Sequence, residues 1–407
     1  MKNLLVAQSG GPTAAINSTL VGVLTYAYTK KGDIGKVYGA INGIEGVFEE
    51  KFIDITEKVK DTESMNLLCN TPSSALGSCR YKLGDKKEDE EKLKDIIAVF
   101  RKYNIGYFVY IGGNDSMDTV NKLAAYCELN KINDIKVVGA PKTIDNDLAK
   151  IDHCPGFGSA AKYVATTFAE IERDVSVYNT KSVTIVEVMG RNVGWLTAAS
   201  SLSKQAGGNG PSLIYLCESD FDMDNFIESI KNIFKTKSNV LVAISEGIKN
   251  KDGRYISEEV QSDMVDSFGH KYISGAGRVL EGVVRKEIGC KVRSIELNLM
   301  QRCSAHILSR TDIEESKLLG MKACQCAIDG NTGVMATIIR KSNNPYEIEL
   351  SSVPVSEVAN IEKKVPLHWI NKEGNGVQQE MIDYLLPLIQ GEVEIEYRNG
   401  IPKHMIL

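Results

Sequence analysis

Between Ile105 and Asp147 the chain makes the same move twice. The apolar run Tyr107-Phe108-Val109-Tyr110-Ile111 breaks into Gly112-Gly113-Asn114-Asp115-Ser116, and the spacing then predicts a helix from Met117 to Cys127. A second run, Ile135 to Ala140, breaks into Pro141-Lys142-Thr143-Ile144-Asp145-Asn146-Asp147. Short β-branched runs closed by Gly or Pro read as buried parallel strands. Two of them separated by one helix confine the chain to an open α/β sheet, which binds ligands beyond the carboxyl ends of its strands. The two loops offer glycines for close backbone approach, N–H groups at a helix start, and carboxylates or amides for a metal ion. A phosphate ligand needs that set.

Similar units flank this stretch. Leu4 to Ala7 is a strand, Gln8-Ser9-Gly10-Gly11-Pro12-Thr13 a loop, and Ala14 to Lys30 a helix with Ile16, Leu20, Val23, Leu24 and Ala27 on one face. The Gly-Gly turn suits a phosphate or is a plain tight turn; no Gly-Lys-Ser/Thr follows to make it a Walker loop. Val37 to Ala40 is a strand followed by a turn over Asn42 to Gly46. The small residues of Thr71 to Arg80 fit a loop packed on a ligand, with Arg80 aimed into it or left on the surface. The charge run Lys86 to Asp95 is the outer face of an amphipathic helix whose Leu93, Ile96, Ile97 and Phe100 turn inward. A second set follows: a helix from Ala160 to about Asp174, then Val183–Val188 ending in Met189-Gly190-Arg191. Ser212–Leu216, Val240–Ile244 ending in Ser245-Glu246-Gly247, and Val292–Leu297 ahead of Gln301-Arg302 complete it. Gly275-Ala276-Gly277-Arg278 is only part of a dinucleotide fingerprint. Beyond about residue 340 a strand, a loop and a helix from Val377 to Leu388 carry no recognisable chemistry.

At 407 residues the chain exceeds one ordinary core, so two α/β domains are expected. A hydrophobic share of 43% with 25% charged residues is that of a soluble globular protein. The net charge of -5 excludes broad attraction to nucleic acid or an anionic membrane, so an anionic substrate would need a local basic pocket. No apolar run approaches the roughly 20 residues of a membrane span, and the N-terminus reaches Gln8-Ser9-Gly10-Gly11 before a signal-peptide core forms. Nine cysteines without a compact framework fit the reduced thiols of a cytoplasm. Cys324 and Cys326 lack His neighbours at zinc spacing and read as helix packing.

Phosphoryl transfer asks for phosphate-binding N–H groups and cations, a metal ion, and a base near the accepting hydroxyl. Asp145 and Asp147, two apart, supply a base and a metal-side carboxylate, or else form an Asx-turn. Lys142, beside a proline at a strand end, puts a mobile cation where transferred charge develops.

With these residues in view, the chain resembles the phosphofructokinase family from Gln8 to about Gly333. The matching stretches are Ser9-Gly10-Gly11, Leu76 to Arg80, Gly112 to Ser116, Thr143 to Asp147, Val186 to Arg191, Ser245-Glu246-Gly247, and Arg293 through Gln301-Arg302. The resemblance implies two Rossmann-like three-layer α/β/α domains with the active site between them. They would be a donor domain, 1–157 plus about 302–352, and a sugar domain, 158–301 plus about 353–407. It implies Mg²⁺ as cofactor, fructose 6-phosphate as acceptor, and a homo-oligomer, dimer or tetramer, with a shared site. By resemblance Asp145 is the base, Lys142, Asp115 and Arg80 are catalytic, and Gly11, Arg80 and Gly112 through Ser116 bind the donor. Thr143, Ile144, Asp145, Met189, Gly190, Arg191, Glu246, Arg293 and Arg302 bind the sugar phosphate, and Asn114 with Asp147 serves the metal.

Members that use ATP typically carry Gly-Gly-Asp-Gly-Ser and Gly-Thr-Ile-Asp-Asn-Asp. Here Asp115 replaces the last glycine of the first motif and Lys142 the glycine that opens the second, as in pyrophosphate-dependent members. A carboxylate at 115 repels a nucleotide α-phosphate while Lys142 adds positive charge at the transferred group. The expectation is therefore pyrophosphate as donor, with ATP on the same fold as the alternative. Three positions depart from the family pattern: Asn114 for an aspartate, Leu299 for a His or Tyr, and Ser182, beside Lys181, for an arginine borrowed between subunits.

Overall fold

The computed structural model describes residues 1–30, 32–84, 87–259 and 275–407; Lys86, at the head of the charge run, lies outside them. Its strands are β1 (Lys2–Gln8), β2 (Ile34–Ala40), β3 (Phe52–Asp54), β4 (Ile105–Gly112), β5 (Lys136–Pro141), β6 (Ser182–Val188), β7 (Leu213–Tyr215), β8 (Asn239–Ser245), β9 (Lys291–Glu296), β10 (Val334–Asn343) and β11 (Tyr346–Pro354). One sheet runs β11-β10-β5-β4-β1-β2-β3 and a second runs β7-β8-β6-β9. The second is parallel throughout. In the first, β2, β1, β4, β5 and β10 are parallel, with β3 and β11 antiparallel at its edges.

Helices cover both faces of such a sheet, so its strands read as continuous apolar runs rather than alternating ones. Leu4, Leu5, Val6 and Ala7 in β1, and Phe108, Val109, Tyr110 and Ile111 in β4, are buried accordingly. The paired apolar runs at 107–111 and 135–140 are adjacent parallel strands, joined by the helix Asn114–Leu129. Asn42 to Gly46, expected as a turn, opens instead into a short helix, Gly43–Phe48, with Asn42 left-handed at its start. Cys324 and Cys326 are buried in the helix Arg310–Ile328.

That helix returns the chain from the second sheet to the first by lying against Ile16–Thr29. A Cβ on Gly22 would sit 2.0 Å from the Lys317 carbonyl, and one on Gly320 2.0 Å from that of Thr19. Any side chain at either position forces the two helices apart. The head of the same helix ties the halves together: the buried Asp312 carboxylate accepts from Gly156 N at 2.8 Å and Ser159 N at 2.9 Å, at the start of the helix Phe157–Ser176. The partial glycine fingerprint has a similar structural use. Gly275 N and Gly277 N donate to the buried Glu187 carboxylate at 2.9 and 2.7 Å.

Strand-end hydrogen bonds gather the loops. Ser9 N donates to Ile111 O and Lys142 N to Gly112 O, each at 3.0 Å, so the loops after β1, β4 and β5 share one rim. Glu246 N donates to Val188 O at 2.9 Å and Leu297 N to Glu187 O at 3.0 Å, which joins the loops after β6, β8 and β9. The two rims face each other.

Candidate active site

Between the rims is a cleft of about 800 Å³. One wall carries Gly11, Arg80, Gly113, Asn114, Asp115 and Ser116; the floor carries Lys142, Thr143, Ile144, Asp145 and Asp147; the other wall carries Met189, Arg191, Glu246 and Arg302. Three expected residues do not line it. Gly112 sits behind the wall, where a Cβ would meet Ser116 Oγ at 2.0 Å, and it serves by letting the strand end pack tightly. Gly190, at φ +137°, turns the chain so that its N–H donates to Glu246 Oε1 at 3.2 Å; it holds a wall residue in place. Arg293 lies on β9 at the outer edge of the second sheet, exposed, in a separate hollow with Asp174 and Lys291.

At the first wall, Ser9 Oγ and Ser116 Oγ are 2.5 Å apart, pinning the glycine loop to the helix Asn114–Leu129. Asp115 stands in the first turn of that helix and pairs with Lys82 at 3.3 Å, a cation that sequence reasoning passed over. Lys142 is not the mobile cation expected from its place beside a proline. It is buried, and its Nζ donates to Gly11 O at 2.8 Å. Burial pushes its pKa down to about 8, against the pull of Asp145 and Asp147.

The carboxylates move the opposite way. Burial raises Asp145 above the usual carboxylate range despite Lys142, Arg191 and Arg302 nearby. Burial, with Asp145 and Glu362 as like-charged neighbours, lifts Asp147 to about 7. Burial also lifts Glu246 to about 7. Titratable groups pushed apart from their usual values within one cleft mark a site for chemistry. The cations are positioned to repay an anion: among the described residues Arg191 Nε is buried without a hydrogen-bond partner, and a Cβ on Gly11 would lie 3.3 Å from Arg302 Nη1. Leaving such a donor unpaired costs about 1–3 kcal/mol, which a bound phosphate oxygen would offset.

The last part of the wall comes from a segment in which the sequence showed no chemistry. Asn360, Ile361, Glu362 and Lys364 line the cleft. Asn360 N donates to Asn114 Oδ1 at 2.5 Å, and Asn114 Nδ2 donates to Ile361 O at 3.3 Å. Asn114 is thus a latch for this strap, with both ends of its amide engaged. The signal available there was Glu362-Lys363-Lys364, a charged triplet that sequence analysis did not single out.

A divalent cation is implied by phosphoryl transfer, and the donor set can be tested against it. Among the described residues no three His, Cys, Asp or Glu side chains are gathered as a cage. Magnesium seldom uses one; it takes one or two carboxylates and fills the rest with phosphate oxygens and water. Asp147, whose charge is held off by Asp145 and Glu362, fits that need.

A family model described as Phosphofructokinase matches residues 3–327. Over 409 residues the chain is 38% identical to the pyrophosphate–fructose 6-phosphate 1-phosphotransferase of Methylococcus capsulatus, covering 100% of this chain and 96% of that one. It is 37% identical to the protein of the same name from Halomonas elongata, over 98% of this chain and 95% of the other. The crystal structure of a pyrophosphate-dependent phosphofructokinase from Nitrosospira multiformis superposes with a TM-score of 0.89 at 35% identity, covering 99% of this chain and 96% of that one.

Proposed function

The chain belongs to the phosphofructokinase family, and we propose that it transfers a phosphoryl group from pyrophosphate to the 1-hydroxyl of fructose 6-phosphate, reversibly, releasing phosphate. The observation that carries the choice of donor is the pair Asp115 and Lys142. Asp115 places a carboxylate in the first turn of the helix Asn114–Leu129, on the cleft wall, where it would repel a further phosphate of a nucleotide. Lys142 fills the base of the glycine loop from below, 2.9 Å from where a Cβ on Gly10 would stand. A charge fixed against a second anion in a partly desolvated cleft can cost several kcal/mol, enough to reject ATP by orders of magnitude.

Asp145 takes the proton from the sugar hydroxyl, and its raised pKa suits a base that must accept one. Lys142 with Arg80 stabilises charge on the moving phosphoryl group; Arg191 and Arg302 bind phosphate oxygens. Bound Mg²⁺, held by Asp147, would neutralise donor oxygens. The enzyme works as a homo-oligomer: Arg293, exposed at the outer edge of the second sheet, reaches a neighbouring subunit's sugar phosphate. Its reduced cysteines fit the cytoplasm, and no described helix is long and apolar enough to cross a membrane.

A coupled assay comparing pyrophosphate with ATP tests the donor, and a parent that prefers ATP refutes it. For the shared site, mixing inactive Asp145→Ser with inactive Arg293→Ala protein should restore part of the activity. Exchange of subunits without recovery would make each site self-contained.

A further inference from the structure

Asn146, between the base and the metal-side carboxylate, is buried and left-handed at φ 58°. Asparagine tolerates that conformation better than other non-glycine residues, and its surroundings fix it there. Its Oδ1 accepts from Cys154 N at 2.9 Å and from Lys363 Nζ at 3.3 Å, and its Nδ2 donates to Tyr384 Oη at 2.8 Å. The same Lys363 ammonium donates to Ile151 O at 3.1 Å and Asp152 O at 2.6 Å. Its three protons therefore tie the near and far arms of one loop. Lys363 N adds a bond to Asp147 O at 2.6 Å.

The strap that carries Lys363 is fastened to the opposite wall. Trp195 Nε1 donates to Lys363 O at 3.0 Å and Asn192 Nδ2 to Glu362 Oε1 at 2.6 Å. Side chains of an extended segment alternate in direction, so Glu362 and Lys364 enter the cleft while Lys363 turns beneath the base loop. Among the described residues no carboxylate pairs directly with its ammonium, and burial pushes its pKa down. A methionine would fill such a place at less cost if filling were all that was required.

We propose that Lys363 is a positioning residue: by holding Asn146 it sets the Asp145 carboxylate against the sugar hydroxyl. This rests on Asp145 being the base.

The test is a double-mutant cycle with purified full-length protein, folding checked by circular dichroism and thermal melting. A base displaced by about 1 Å costs on the order of 100-fold, so Lys363→Met should lower kcat about tenfold to 100-fold. KM for fructose 6-phosphate and for pyrophosphate should stay within about threefold. In the Asp145→Ser background the same substitution should change residual turnover less than about threefold, because the group it positions is gone. An unchanged kcat, or effects that multiply in the double variant, would overturn the assignment. If Lys363→Met does not fold, Lys363→Gln, which keeps a donor too short to reach all three oxygens, enters the same cycle. An active Asp145→Ser would defeat the base; an inactive Asp145→Ser with a silent Lys363→Met would defeat only the positioning role.

Discussion

Two clusters of charge share one loop and are built on opposite plans. At 145–147, Asp145 and Asp147 stand close together, both pKa values are raised, and Asp145 makes no salt bridge among the described residues. A few residues on, His153 Nδ1 lies 2.7 Å from Asp152 and Nε2 2.5 Å from Glu315. Arg340 Nε donates to Asp152 at 3.0 Å and Tyr346 Oη to Glu315 at 2.8 Å. There, burial would raise Asp152, but the hydrogen bond from His153 and the nearby cations outweigh it and hold the carboxylate low. The paired cluster joins β10 and the helix Arg310–Ile328 to the base loop. The unpaired one opens on the cleft. Removing one member of a satisfied buried pair strands the other's charge and destabilises a fold, whereas perturbed charges gathered in a cleft mark a candidate site for chemistry.

The largest expected effect breaks the unpaired cluster. Asp145→Ser should cut kcat by several orders of magnitude while fructose 6-phosphate still binds, since a base acts mainly on the transition state. Its melting temperature should hold or rise, because a raised carboxylate pKa means the charge costs stability. Turnover within about tenfold of the parent would refute the base.

Breaking the paired cluster should do the reverse. Glu315→Ala leaves His153 Nε2 and Tyr346 Oη without their partner, while Asp152 keeps His153 Nδ1 and Arg340, and should cost about 3–5 kcal/mol in urea denaturation, with kcat per folded molecule little changed. A loss below about 1 kcal/mol would show that the pairing is not what stabilises this loop.

A middle-sized effect separates donors. Asp115→Gly should raise the ratio of kcat/KM for ATP over pyrophosphate at least about tenfold, worth about 1.4 kcal/mol. Adding Lys142→Gly should lower pyrophosphate use further, with effects that do not add. Asp115 pairs with Lys82 and Lys142 with Gly11. An unchanged ratio in Asp115→Gly would reject the donor assignment.

The smallest effects are in pH. Lys142 has a folded pKa of about 8, below its unfolded value, so the unfolded chain binds more protons between that pKa and about 10.5. Stability should rise with pH through that window, while pyrophosphate turnover falls as the cation is lost. For His153, burial alone would lower the pKa, but Glu315 and Asp152 outweigh it and raise it. Its contribution is present below about 6.5 and is lost as pH rises through the folded pKa. Lys142→Arg should remove the alkaline fall in turnover, and His153→Gln the stability loss above neutrality. Profiles unmoved by either substitution would assign the pH dependence elsewhere.

Local chemistry by itself determined much of this protein. Apolar runs closed by glycine or proline marked β4, β5, β6 and β8, because a strand buried on both faces must be apolar throughout. Their polar loops, with the one after β1, carried Gly11, Asp115, Lys142, Asp145, Arg191 and Glu246 in stretches short enough to read. Only the tertiary structure decided what reached them from far along the chain. Lys82 beside Asp115, the latch between Asn114 and Asn360, and Lys363 beneath Asn146 are pairings whose partners have no periodicity or spacing in common. The location of Arg293, on the outer edge of the second sheet and away from the cleft, was likewise invisible in its motif. A strand states its burial in its own composition, whereas a hydrogen bond across hundreds of residues exists only once the core has brought its two ends together.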